Sequence, residues 1–152
     1  MLTFPRRPNP LPFGPPMIDP VPSNIRIYRG DLLVPLLTGF PFPVGGAEVR
    51  RVDKFARGMG SSEPFITGLT MAIDVLPVTT PGRGDSFYVL EFSAAPLANA
   101  PGRLRRFNSP TATPVVVADS LISPTSVAHD PASGDFFITE FFTGRIIRVQ
   151  GA

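Results

Sequence analysis

The stretch GDFFITEF, residues 134–141, has two counterparts earlier in the chain, GDSFYVLEF at 84–92 and GDLLV at 30–34. In each of them a Gly-Asp pair precedes aromatic and aliphatic residues, a pattern typical of a turn that leads into a β-strand. The Gly-Asp pairs are 54 and 50 residues apart. This spacing predicts a β-structure that repeats about every 50 residues.

A second predicted strand follows each of these stretches and carries arginine near its end. The three segments are AEVRRV at 47–52, GRLRRF at 102–107 and GRIIRV at 144–149. Side chains alternate along a strand, so Arg51, Arg106 and Arg148 share a face with the apolar residue two positions earlier. An arginine on an apolar face must pair with an acid or extend into solvent. Because it recurs in every repeat, we interpret this arginine as a structural contact between neighbouring repeats.

Eleven strands are predicted, four in each of the first two repeats and three in the last. Four short strands per roughly 50 residues is the period of a β-propeller blade, and no segment has the 3.6-residue periodicity of a helix. The expected fold is therefore all-β, an incomplete propeller of about three blades over residues 23–152, with blades near 24–68, 71–119 and 125–150. The strands are expected near 24–29, 31–37, 47–53, 63–68, 71–77, 86–92, 102–108, 113–118, 125–130, 135–141 and 144–149.

The N-terminal segment has a different composition. Residues 1–22 contain eight prolines, which favours an extended, irregular arm lying along the body. Closed propellers have about four to eight blades. Three blades would leave apolar surface open, so we expect the chain to associate with copies of itself or with a missing propeller half. The alternative is that its blades pack as an open solenoid.

Composition excludes several classes of function. The chain of 152 residues has no cysteine and a single histidine, His129, so it offers neither a thiolate zinc site nor a two-histidine metal motif. The net charge is +2, without a run of five like charges, and this leaves no footprint for nucleic acid. No apolar segment is long enough to span a membrane, and the N-terminal residues lack the apolar stretch of a secretory signal. We therefore expect neither nucleic-acid nor membrane partners, and a cytoplasmic location.

Five segments resemble a known family: LTGFPFP at 37–43, AEVRRVD at 47–53, SFYVLEF at 86–92, LISPTSVA at 121–128 and GRIIRV at 144–149. Through them residues 21–152 resemble the C-terminal part of the ScyD/ScyE family of propeller proteins, which is related to NHL-repeat and gluconolactonase-like propellers. TGFPFP is the most specific of these elements. The resemblance implies a six-bladed propeller, of which this chain supplies less than half. It also implies relatives that are often exported, some of them encoded with enzymes that make the pigment scytonemin.

Two glutamates are the main candidates for a binding site. Glu91 and Glu140 end equivalent strands, and the resemblance implies that an acid there lies near the mouth of a central channel. Two converging carboxylates could bind a hard cation through oxygen, with Asp74 and Asp130 as further candidate ligands. The first repeat has Leu36 at this position. The alternative interpretation is that each glutamate accepts hydrogen bonds from backbone N–H groups or from an arginine.

Two functional hypotheses follow. The first is a non-catalytic propeller scaffold or binding module for an unidentified small molecule. The second is a remnant of a metal-dependent gluconolactonase-like hydrolase or sugar oxidoreductase. No serine lies in a nucleophile elbow, and we assign no catalytic residue, no metal site beyond the weak candidates Glu91 and Glu140, and no cofactor. Glutamates bound to arginines would favour the first hypothesis.

Overall fold

A computed structural model describes residues 2–53 and 61–151; Met1, residues 54–60 and Ala152 fall within the predicted arm and blades but lie outside the described residues. The fold is all-β, as predicted, and its one helical element among the described residues is a 3₁₀ turn at Pro96–Ala98. All eleven predicted strands are present, and the arm adds two short ones. The strands are β1 (Arg7–Pro8), β2 (Met17–Ile18), β3 (Arg26–Tyr28), β4 (Asp31–Leu36), β5 (Ala47–Val52), β6 (Ser62–Leu69), β7 (Ala72–Thr80), β8 (Gly84–Glu91), β9 (Gly102–Phe107), β10 (Val115–Leu121), β11 (Pro124–His129), β12 (Phe136–Glu140) and β13 (Arg145–Val149).

The strands form three larger sheets, each of them an antiparallel meander. The first sheet has the order β3-β4-β5-β6, the second β7-β8-β9-β10 and the third β11-β12-β13. Within each sheet, every strand pairs with its neighbour in sequence. The arm contributes only the small β1-β2 hairpin, which Arg7 ties to the first sheet through a 2.6 Å hydrogen bond to the Gly46 carbonyl. No helix among the described residues is long and apolar enough to cross a membrane.

Alternating side chains join the sheets into a stack. On β8, Phe87 and Val89 pack against the first sheet, whereas Tyr88 and Leu90 pack against the third. Both faces of the second sheet are therefore covered, as expected for strands with almost continuous apolar sequence. The two interfaces are the main hydrophobic core of the described chain.

The outer face of the third sheet, unlike the two faces of the second, is not covered by a neighbouring sheet. The cross-strand register makes Leu33, Tyr88 and Phe137 equivalent, since each lies opposite the recurring arginine. Leu33 and Tyr88 are buried by the next sheet, at 0% and 5% exposure, whereas Phe137 is 37% exposed. The next position along the face repeats the contrast: Val49 and Leu104 are fully buried, and Ile146 is 71% exposed.

The opposite end of the stack is also apolar. Leu32 and Val34 on the outer face of the first sheet contact Leu2 and Phe4 of the arm. The arm covers this face only partly and leaves an apolar groove of about 700 Å³. The three sheets therefore end in two apolar faces, which we call the first-sheet face and the third-sheet face.

Candidate functional site

The three sheets begin in equivalent turns, beside which the predicted glutamates lie. Each initial turn contains a non-glycine residue with positive φ, 48° at Val21, 45° at Met71 and 49° at Ser123. Its carbonyl accepts a hydrogen bond from the backbone N–H just after the second strand of the sheet. These bonds are 2.9–3.0 Å long, and the donors are Leu37, Phe92 and Phe141. The residues immediately before these donors are the equivalent positions Leu36, Glu91 and Glu140.

Glu91 is fully buried at the end of β8. Its Oε1 accepts hydrogen bonds of 2.7 Å from the Thr70 N–H and 3.0 Å from Arg105, and its Oε2 accepts one from Arg103. Thr70 belongs to the initial turn, and both arginines lie on β9 of the same sheet. Both carboxylate oxygens are therefore engaged, and their function is to fasten the initial turn to the sheet.

Glu140 fastens the initial turn of the third sheet in the same way. Its Oε1 accepts a 2.7 Å hydrogen bond from the Ile122 N–H, and its Oε2 accepts from the Thr143 hydroxyl at 2.8 Å and from Arg145 at 2.9 Å. The Ile122 N–H, more than the other two donors, holds the pKa of Glu140 below its ordinary value. The charged carboxylate is thus the form that the fold stabilises.

Leu36 has a physical explanation in the same geometry. The residue of the first turn that corresponds to Thr70 and Ile122 is Pro20, which has no N–H to donate. The residue paired with Leu36 across the sheet is Glu48, whereas Glu91 and Glu140 lie opposite arginines. The first sheet therefore lacks both donors that a glutamate needs at this position.

Asp74 lies where the first strands of the three sheets meet. It is fully buried on β7. Arg26 of β3 donates to both its oxygens, at 3.1 and 2.6 Å, and the Val127 N–H of β11 donates to Oδ2 at 3.0 Å. Ser126 adds a 3.2 Å contact to the same oxygen, and the Val75 N–H donates to Oδ1 at 2.8 Å. One carboxylate thus connects all three sheets.

Asp130 directly follows β11 and stabilises a turn. Its carboxylate accepts hydrogen bonds from the Ser133 hydroxyl at 2.7 Å and from the Ala132 N–H at 2.9 Å. These two bonds, the hydroxyl first, lower the pKa of Asp130. The adjacent His129 stacks on Phe136 with ring centroids 4.7 Å apart. Asp130 is therefore an acceptor within the hairpin between β11 and β12.

Two of the three recurring arginines bind acids within their own sheets, so the interpretation as contacts between repeats is corrected for Arg51 and Arg148. Arg51 donates to Asp31 through Nε at 2.6 Å, and Arg148 donates to Asp135 through Nε at 2.7 Å. Both acids belong to the Gly-Asp turns. The pKa of Asp135 is lowered chiefly by its bond with Arg148. Each Gly-Asp turn leads into the strand that pairs with the arginine's own strand, so acid and arginine are cross-strand neighbours. The interpretation did not take this into account.

Arg106 is the exception among these arginines. The second Gly-Asp turn has one extra residue, Ser86, before the position that faces the arginine. Because side chains alternate, one additional residue turns Asp85 to the other face of the sheet. There Asp85 accepts hydrogen bonds from the Tyr28 hydroxyl at 2.6 Å and from Thr79 at 2.7 Å, and pairs with Arg29 at 2.7 Å. The bond from Tyr28 is the main reason that the pKa of Asp85 is lowered.

The four predicted ligand residues do not assemble into a metal site. Glu91 and Glu140 are each bound by the arginines of separate sheets, Asp74 lies at the sheet junction, and Asp130 lies in a hairpin. In the described ranges 2–53 and 61–151, no three His, Asp or Glu side chains are grouped so that they could hold a metal ion. The residues present therefore do not fit the cation site that the gluconolactonase-like resemblance implies.

Sequence reasoning missed the acids that bind the recurring arginines. These acids are Asp31 and Asp135, and the Gly-Asp pairs were recognised as turn residues only. Aligning the three stretches would have revealed the extra Ser86 and hence the different environment of Arg106. Arg26 was also missed, since nothing local to β3 indicates its contact with Asp74.

Comparison of the chain with protein-family models, with curated proteins and with solved structures found no match in any of the three.

Proposed function

We propose that this chain is a non-catalytic β-propeller scaffold or binding module of the ScyD/ScyE type, contributing three blades to a larger ring. The single observation that carries the proposal is the exposure pattern of equivalent positions. Residues that the next sheet buries in the first and second sheets are exposed in the third, with Ile146 the clearest case. A face that is buried in two sheets and exposed in the third supports a stack that is open at the third sheet, as an incomplete ring would be. The connection with scytonemin biosynthesis comes from the resemblance alone and belongs to the same proposal.

The occupant that we propose for the exposed faces is a second copy of the chain. The third-sheet face exposes Phe137 and Ile146. The first-sheet face keeps an apolar groove beside the arm, which already buries Val34, Leu36 and Val52 to 4% exposure or less. Two copies placed head to tail would bring the third-sheet face of one against this groove of the other. Three sheets in each copy make six, within the range of closed propellers and equal to the number that the resemblance implies. The first-sheet face and the third-sheet face would then take the places of neighbouring blades.

Association is the direct test of this proposal. We expect the purified chain to sediment as a dimer, because stable monomers rarely expose large contiguous apolar patches. Ile146→Asp places a charge on the third-sheet face and should shift the chain to monomer. Leu97→Asp is the matched control, since Leu97 is also exposed, at 59%, but lies on the 3₁₀ turn away from both end faces. A monomeric wild type, or equal sedimentation of the two variants, contradicts the proposal.

A metal-dependent hydrolase or oxidoreductase is the alternative from sequence, and the contacts of the glutamates argue against it. A catalytic metal needs several protein ligands and an open position, whereas Arg103, Arg105 and Arg145 compete for the carboxylates. We expect calorimetry with Ca²⁺, Mn²⁺ and Zn²⁺ to find no affinity tighter than roughly millimolar, and no lactone turnover. Micromolar binding that is abolished by Glu91→Gln or Glu140→Gln would overturn the non-catalytic assignment.

A further inference from the structure

Arg106 lacks the aspartate partner that Arg51 and Arg148 have. Arg51 and Arg148 each donate through Nε to the aspartate of their own Gly-Asp turn. The extra Ser86 removes Asp85 from the corresponding position. Within residues 2–53 and 61–151, the Arg106 Nε is buried and has no hydrogen-bond partner. A buried N–H without an acceptor costs about 1–3 kcal/mol. Because the Arg106 Nε is closed to solvent in this structure, an acceptor gains this energy only if the neighbouring side chains shift to admit it.

A cavity lies beside this arginine. It has a volume of about 370 Å³, and its lining includes Arg106, Arg83, Ser86 and Asn108. This volume is at the lower end of the range for small-molecule sites. Hydroxyl, amide and guanidinium groups converge there, and all of them can donate hydrogen bonds.

The charge around the cavity is positive. Asp85 also contributes to the lining, but its carboxylate is already bound by Tyr28, Thr79 and Arg29. Within residues 2–53 and 61–151, none of the salt bridges formed by the other arginines, such as Arg29 with Asp85 and Arg148 with Asp135, has a counterpart at Arg106 or Arg83. Two positive charges and several donors around one cavity are suited to a small anion with planar acceptor groups.

We propose that this cavity binds a small organic carboxylate, which takes the position that an aspartate occupies beside Arg51 and Arg148. Carboxylate is favoured among anions because the two equivalent arginines in this same chain bind carboxylates through Nε. A dicarboxylate can engage Arg106 and Arg83 together. The inference rests on the proposed binding role and gives that role a ligand class.

Titration with succinate, followed by the Nε–H signals of ¹⁵N-labelled arginine side chains, tests the proposal. We expect the Arg106 signal to shift with a dissociation constant of about 0.1–1 mM. Arg106→Gln should weaken binding at least about tenfold, and Arg106→Lys should weaken it too, since a lysine cannot present the planar guanidinium fork. Arg148→Gln is the matched control, because Arg148 is already paired with Asp135, and it should leave the affinity for succinate unchanged.

Deleting Ser86 provides an independent test. The deletion gives the second sheet the spacing found in the first and third sheets, with the aspartate two residues before the position opposite the arginine. Asp85 should then pair with Arg106 and abolish succinate binding. Succinamide, the neutral diamide, should not bind. Absence of succinate binding to the wild type, equal affinity in Arg106→Gln, or equal binding of the diamide would overturn the site. Succinate binding and the oligomeric state are measured separately. Failure of the carboxylate site is therefore distinguishable from failure of the proposed ring.

Discussion

Asp74→Asn should destabilise the chain by about 3–5 kcal/mol, the usual cost of removing one member of a buried ion pair. The variant keeps the size of the side chain but replaces one acceptor oxygen by an N–H₂ group. Arg26, Val127 and Ser126 all donate to Asp74, so the new amide would face donors and leave them unsatisfied. Since domains are stable by about 5–15 kcal/mol, the loss is a large part of the total. Urea unfolding followed by circular dichroism measures it.

Asp119→Asn is the matched control for this variant. Asp119 is exposed on β10, and the same chemical change there should alter the free energy of unfolding by no more than about 0.5 kcal/mol. We compare the losses in free energy of unfolding of the two variants. If the loss in Asp74→Asn exceeds that in the control by less than about 1 kcal/mol, the carboxylate does not connect the sheets as described.

Glu91→Leu should be comparably destabilising, by about 3–5 kcal/mol, because it leaves a buried N–H and two half-buried guanidinium groups without their acceptor. The donors are Thr70, Arg103 and Arg105. A leucine already occupies the equivalent position in the first sheet, so the size and shape of the new side chain are compatible with the fold. The measured loss therefore reports the hydrogen bonds of the carboxylate. Thermal and urea unfolding both give the quantity.

The reciprocal change, Leu36→Glu, tests the same reasoning in the first sheet. We expect it to destabilise the chain as well, although it makes the three sheets more alike in sequence. The new carboxylate would meet Pro20, which cannot donate, and Glu48, which carries the same charge. A Leu36→Glu variant as stable as wild type would mean that the initial turn does not select the residue beside it.

The strands could be predicted from sequence because their signals are local. β-branched and aromatic residues bounded by glycine, proline and aspartate identify a strand wherever it lies in the chain, and GDFFITEF contains β12, as expected. The candidate site could not be predicted in the same way. Asp74 is 48 residues from Arg26 and 53 from Val127, and their contact depends on how the sheets stack. Glu91 and Glu140 were correctly identified as equivalent, yet the donors that bind them belong to turns whose geometry depends on a positive φ.

The position of Asp74 links the meander to the order of synthesis. Each sheet consists of consecutive residues, so a nascent chain can complete the first sheet before the second has left the ribosome. The Asp74 carboxylate can acquire Arg26 as soon as the second sheet packs on the first. Its bonds with Ser126 and Val127, which lie 52 and 53 residues after Asp74, form only when the third sheet emerges. Direction of translation therefore sets the sequence in which this buried charge is neutralised, and a nascent chain stalled before residue 126 carries it only partly satisfied.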